Sequence, residues 1–280
     1  MTSPPIRELL RQLGVRPSKA LGQHFLHDLK IVRRMADLVG LTREDLVIEI
    51  GPGLGVLTQE LAARAGKVIA IELDTRLVGY LREQFRDSTV EVVHGDALTA
   101  DYTALTRGKP YVVAANLPYS VATAIIGRLL TVEHPPERLI VMVQREVAER
   151  LVARAPDATA LSVLAQFHTA ARIAFRVGAG AFVPPPKVES AVLVLERRPE
   201  APLPREEWSR FFRVVHAGFA QRRKRLANAL AAGLGIPKDD AEAALCAAGI
   251  DPSRRAETLQ LEEWLALYRE LRERVSCASS

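Results

Sequence analysis

Between residues 46 and 144 short apolar runs alternate with amphipathic stretches, and this rhythm constrains the fold more than any other feature of the chain. The runs cover 46–50, 68–71, 90–93, 111–115 and 139–143, with helix-period patterns over 56–65, 75–86 and 120–130. Runs without polar alternation suit strands covered on both faces, and the intervening helices supply the crossovers that parallel strands require. The pattern therefore predicts a doubly wound, mostly parallel α/β sheet. Two later runs, 172–177 and 191–195, flank a proline-rich loop and suit a closing, hairpin-like pair. Residues 199–204 read as a linker, and everything beyond them reads as helical. The expected organisation is an N-terminal arm over 1–20, a sheet domain over 21–198 and an all-helical domain over 205–280. A length of 280 residues accommodates such a division.

At 48% hydrophobic and 25% charged, the composition is that of a globular chain with a sizeable core. No apolar run reaches the length of a membrane span, and residues 1–5 lack a signal-peptide core, so a cytoplasmic location is expected. Cys246 and Cys277 are too few and too far apart for a disulfide framework or a metal cage. His94 and His168 show no ligand spacing either; no metal is expected. The net charge of +5 permits a polyanionic partner.

Chemistry gathers where the apolar runs end. The first runs into Glu49-Ile50-Gly51-Pro52-Gly53-Leu54-Gly55. Glycines there let the backbone turn tightly, approach a ligand and present a helix N-terminus. Their Gly-x-Gly-x-Gly spacing differs from the Gly-x-Gly-x-x-Gly that seats a dinucleotide, which counts against an NAD oxidoreductase. The second run leads to Glu72, the ribose-diol position of nucleoside-binding sheets, and the third to Asp96, suited to an adenine amino group. Asp74 reads equally well as a helix cap. The fourth ends in Asn116-Leu117-Pro118-Tyr119, which alone is either a turn or a site at the carboxyl end of a strand. Four such endings in one sheet outline a nucleoside crevice.

Five segments carry a resemblance: 21–26 (Leu-Gly-Gln-His-Phe-Leu), Glu49–Gly55, Asn116–Tyr119, Phe182–Ser190 (Phe-Val-Pro-Pro-Pro-Lys-Val-Glu-Ser) and 219–224 (Phe-Ala-Gln-Arg-Arg-Lys). With them the chain resembles the S-adenosylmethionine-dependent methyltransferases, and among these the ribosomal RNA adenine dimethyltransferases, in particular their bacterial small-subunit branch. The resemblance implies a Rossmann-like class I sheet of seven strands with a smaller helical C-terminal domain. It implies dimethylation of the 6-amino groups of two adjacent adenosines near the 3′ end of 16S rRNA, within the small ribosomal subunit or its precursor. A monomer without metal or membrane contact is expected.

The same resemblance assigns roles. Cofactor contacts fall to Gln23, His24, Leu26, Glu49, Gly51, Gly53, Gly55, Glu72, Leu73, Asp96, Ala97 and Asn116. The family usually has Asn where His24 stands, and Phe25 and Leu26 read equally as a core anchor. Asn116 and the Leu117 carbonyl would accept the hydrogens of the target amine, while Pro118 restricts where that carbonyl points. Tyr119 and Phe182 would stack the extruded base from its two faces; otherwise Phe182 is a loop aromatic that closes the core. Arg145, Arg222, Arg223 and Lys224 would meet RNA phosphates, extended by Arg150 and Arg154, with residues 221–225 opening a helix. Trp208 and Trp264 fit core packing. A large-subunit dimethyltransferase and a non-catalytic RNA-binding assembly factor of the same fold are the alternatives.

Overall fold

The computed structural model describes residues 6–17, 23–221 and 223–275. Lys19, Leu21, Gly22, Arg222 and Cys277 lie outside the described residues. The chain forms two compact units. One runs as far as Ala148 and resumes over Arg172–Arg197; the other joins Glu149–Ala171 to the chain from Arg198 onward. This corrects the expected single boundary at 199–204, because residues 149–171 were assigned to the sheet domain. Val163 and Phe167 from that stretch are buried among the C-terminal helices instead.

In the first unit, α1 (Ile6–Gln12) and the two-residue β1 (Phe25–Leu26) precede α2 (Leu29–Val39). Then strands and helices alternate: β2 (Leu46–Ile50), α3 (Val56–Ala62), β3 (Lys67–Glu72), α4 (Thr75–Gln84), β4 (Val90–His94) and α5 (Tyr102–Thr106). They continue as β5 (Val112–Asn116), α6 (Ala122–Thr131), β6 (Arg138–Gln144) and α7 (Arg145–Val152). After α8 (Ala160–His168) come β7 (Thr169–Val177), the two-residue β8 (Phe182–Val183) and β9 (Ser190–Arg197).

Seven strands form one sheet in the order β4-β3-β2-β5-β6-β9-β7, while β1 and β8 pair separately. β2 to β6 pair in parallel, and β9 runs antiparallel to β6. The expected closing pair, β7 and β9, does lie side by side. β2 and β5 are neighbours, yet the chain leaves β2 toward β3 on one side and returns to β5 on the other. Such a reversal leaves a crevice at the strands' carboxyl ends, where open sheets bind ligands. All five residues of β2 are buried, including Glu49. Val32, Met35 and Ala36 of α2 and Leu57 and Leu61 of α3 cover that face, against Val47, Val68, Ala114 and Ile140. Asp74 caps α4, its carboxylate accepting from the Arg76 amide at 3.0 Å.

The second unit is helical: α8, α9 (Trp208–Phe219), α10 (Leu226–Leu234), α11 (Lys238–Ala247) and α12 (Leu261–Leu271). Phe167, Phe211, Trp264 and Tyr268 fill its core. Trp208 packs against that core with its indole N–H on the Leu203 carbonyl at 2.9 Å. The expected helix start over 221–225 is not seen in its described members: Gln221, Arg223, Lys224 and Arg225 lie between α9 and α10 outside either helix, with the Lys224 amide on the Gln221 carbonyl. Arg225 stands in extended geometry as the cap of α10. Cations are disfavoured in a first helical turn because the positive end of the helix dipole faces them.

Candidate active site

The glycine turn leaves β2 with the Gly51 amide on the Ile71 carbonyl at 2.9 Å, so it stays tied to β3. Gly51, Gly53 and Gly55 all have left-handed backbone, φ 64°, 59° and 80°. At Gly53 a Cβ would lie 3.2 Å from the Phe25 ring, and at Gly55 2.9 Å from that of Phe85. Side chains are excluded at both positions by backbone angle and by space.

Glu72 at the end of β3 braces this turn. One carboxylate oxygen accepts from Gly53 N at 3.2 Å, and the other from Leu73 N at 2.8 Å and Asp74 N at 2.9 Å. Burial raises its pKa, and these three amides oppose the rise. Glu49 is deeper, 2% exposed, and its Oε2 has no hydrogen-bond partner. Burial pushes its carboxyl up to about 8, with Glu72 adding to the shift and the Thr58 hydroxyl opposing it. Both carboxyls line one cavity with Gly51, Gly53, Gln23 and Leu26. A buried carboxyl at a cavity lining ionises at a cost that a nearby cation would offset.

Asn116–Tyr119, at the end of the neighbouring strand β5, line the same cavity. The Asn116 amide nitrogen donates to the His24 carbonyl at 3.1 Å, which leaves the side-chain oxygen as the end able to accept from a ligand. The Leu117 amide donates to Met142 O at 3.1 Å, fixing the peptide whose own carbonyl follows. The Tyr119 phenol meets Ser190 Oγ at 2.6 Å, and its ring lies 5.1 Å from that of His24 at 33°. His24 donates from Nδ1 to the Pro184 carbonyl at 2.7 Å.

Several expected residues lie elsewhere. Phe182 is 2% exposed and packs with Leu26 and Val32, so it offers no stacking face. The cause is local pairing: β8 joins β1 with Phe182 opposite Leu26, and the ring enters the core. It closes the core, the second of its two readings. Leu26 and Phe25 are themselves buried as an anchor, while both also border the cavity. Leu73, 57% exposed, and Asp96 are at the surface, where Asp96 accepts from the Leu98 amide at 2.9 Å. Gly55 and Ala97 do not line the cavity either; Ala97 is buried, with its carbonyl on the Tyr102 hydroxyl. Arg145 pairs with Glu189 at 2.7 Å, and Arg223 and Lys224 are exposed on their turn. Ser190 is the site residue that sequence reasoning missed as a partner of Tyr119. Only its place at the end of the Phe182–Ser190 segment could have drawn attention to it.

A family model described as ribosomal RNA adenine dimethylase matches residues 15–273. The chain belongs to the ribosomal RNA adenine dimethylase family. Ribosomal RNA small subunit methyltransferase A of Moorella thermoacetica is 45% identical over 276 residues, covering 94% of this chain and 95% of that protein. The protein of the same name from Dehalococcoides mccartyi is 42% identical over 263 residues, covering 93% and 90%. Among solved structures, the 23S rRNA methyltransferase ErmE superposes with a TM-score of 0.70 at 31% identity, covering 89% of this chain and 99% of that one. As a member of this dimethylase family the chain is a methyltransferase, and its methyl donor is S-adenosylmethionine. The cavity fits that donor: it places carboxyls in its lining for a ligand carrying an ammonium and a sulfonium, beside a turn with glycine at three of its positions.

Proposed function

We propose that this methyltransferase dimethylates the 6-amino groups of two adjacent adenosines near the 3′ end of small-subunit ribosomal RNA, during assembly of the subunit in the cytoplasm. The observation that carries the reading is the meeting, in the lining of one cavity, of the buried carboxyls of Glu49 and Glu72 with the tetrapeptide Asn116–Tyr119. When bound, the donor supplies an electrophilic methyl on a sulfonium. Every other requirement falls on the chain. Glu49 offers a counter-charge to the donor's cations, and Glu72 holds the turn that lets the backbone approach, with its outer edge toward the ribose hydroxyls.

An adenine 6-amino group is a weak nucleophile because its lone pair is delocalised into the ring. The Asn116 side-chain oxygen and the Leu117 carbonyl accept its two hydrogens and favour a pyramidal nitrogen, and Tyr119 supplies the stacking plate. Positioning then provides most of the rate, since the nitrogen must lie in line with the methyl. The proton leaves after transfer, so no strong base is needed. The basic turn with Arg223 and Lys224, together with Arg222 and Arg145, would meet RNA phosphates, and the chain would act as a monomer without metal. Among the described residues no cluster of acids, histidines and cysteines could hold a metal ion.

The alternative substrate is large-subunit RNA, which the ErmE structure's name would suggest at 31% identity. The small-subunit methyltransferases at 42% and 45% over a similar span favour the first reading. Methyl transfer from labelled donor to under-methylated small subunits, large subunits and naked RNA tests it. Labelling confined to small subunits is the expected result, and labelling of large subunits would overturn it.

A further inference from the structure

Tyr119 carries a hydroxyl that the reading above leaves without a task, since a stacking plate needs only the ring. The structure gives that hydroxyl a specific partner. Ser190 Oγ is 2.6 Å away, and Ser190 has no exposed surface. It is the first residue of β9, paired with Gln144 at the far end of β6. β6 lies between β5 and β9, so the bond reaches from the loop after β5 across one whole strand. The contact joins side chains 71 positions apart in sequence, one on the loop after β5 and one at the start of β9.

The residues on either side reinforce this anchorage. Glu189 accepts from Arg145 twice, its carboxylate from the guanidinium at 2.7 Å and its carbonyl from the Arg145 amide at 2.9 Å. Ser190 therefore starts β9 from a fixed point. On the ring side, His24 packs against Tyr119 and is held in turn by the Pro184 carbonyl. A tyrosine on a loop has two free side-chain torsions, and a plate free to turn cannot hold a base in line for attack. Tethering the hydroxyl at the far end of the side chain fixes the first torsion, while the second, whose axis passes through that oxygen, is opposed by the His24 ring 5.1 Å away. Burial also raises the phenol's pKa, so the hydroxyl remains a neutral hydrogen-bonding group and takes no part as a base.

We propose that Ser190 is a positioning residue for methyl transfer: through the Tyr119 hydroxyl it holds in place the ring on which the target adenine stacks. This rests on the functional reading above. Ser190 borders none of the donor cavity, so its effect belongs to turnover and not to cofactor affinity.

The test is a double-mutant cycle on the full chain with under-methylated small subunits. Ser190→Ala and Tyr119→Phe should each lower kcat on the order of tenfold, below the roughly 10²-fold that a displacement of about 1 Å can cost. Donor affinity should change less than about twofold in either. The double variant should be no slower than the single ones, because each removes the same bond. Losses that multiply, or an unchanged kcat in Ser190→Ala, would overturn the proposal. A second measurement needs no RNA: with ¹³C-labelled tyrosine, the Tyr119 ring signal is identified by its disappearance in Tyr119→Phe. Ser190→Ala should displace that signal and leave those of the other four tyrosines, Tyr80, Tyr102, Tyr111 and Tyr268, in place. A stationary Tyr119 signal would sink the tether whatever the substrate is. An inactive wild type with a displaced signal would instead sink the substrate reading alone.

Discussion

Glu49 is an acid in a strand whose other members are all buried and apolar, and its titration links the site to its ligand. Unfolded, its carboxyl titrates near 4.5; in the folded chain it is pushed up to about 8, chiefly by burial. Between those values the folded state holds the extra proton, so stability is full below the lower value and is lost as pH rises to the upper. Thermal melts of the ligand-free protein should fall from about pH 5 to about pH 8, and Glu49→Gln should flatten the curve. A cation beside this carboxyl favours its charged form. Donor affinity should then rise with pH to about 8, with proton release measurable by calorimetry in buffers of different ionisation enthalpy. An affinity independent of pH would mean that the donor's cations do not meet Glu49. Asn116→Ala should lower methyl transfer by on the order of 10²–10³ through loss of one placed acceptor, with donor affinity nearly intact. An equal loss of affinity would make Asn116 a scaffold for the 23–26 segment, through its bond to the His24 carbonyl. At this scale the sequence was readable where a residue ends a strand, as with Glu72 and Asn116. It was silent on Phe182 and Ser190, whose orientation depends on which strands become neighbours.

Elements crossing at close range respond to single atoms. Gly233 of α10 faces Ala217 of α9, and a Cβ there would lie 2.6 Å from the Ala217 Cβ. Alanine is intrinsically better in a helix by about 1 kcal/mol, but both atoms are fixed to backbone and something must shift. Overpacking costs about 1–3 kcal/mol, so the net effect of Gly233→Ala should be a loss of roughly 1 kcal/mol in denaturant unfolding. A stabilised variant would show that the two helices separate freely. The basic turn between the same helices bears on binding. Neutralising Arg223 and Lys224 together should weaken small-subunit binding and reduce its salt slope by about one per lost phosphate contact, with donor affinity unchanged. An unaltered slope would leave the turn as a solvated surface and move the RNA contacts elsewhere. The buried parallel strands were legible because their runs are apolar at successive positions, and their ends fell within two residues of expectation. β1 and β8 were not, since two residues carry no period, and the basic run read as helix because its apolar flanks are helical on both sides.

For the whole molecule, a doubly wound, mostly parallel sheet was legible in the alternation, but the strand order and the partition of the chain were not. Residues 149–171 contain a helix pattern like any other in the sheet domain, and nothing in their composition says which core will take Phe167. The answer depends on partners more than forty positions downstream, Phe211, Trp264 and Tyr268. That excursion has a consequence for how the polypeptide is made. Phe167 leaves the ribosome before the last two strands of the sheet and before every other aromatic of its own core. The nascent chain must therefore carry an apolar helix with no destination until α9 brings Trp208, Phe211 and Phe212. A product stopped after Arg197 should hold that helix exposed and precipitate, and one begun at Arg198 should melt without cooperativity for want of Val163 and Phe167. Supplying residues 149–171 as a separate peptide should restore a cooperative melt to the second product, read by circular dichroism. If it melts cooperatively unaided, the C-terminal helices are self-sufficient and α8 is an addition to a finished core.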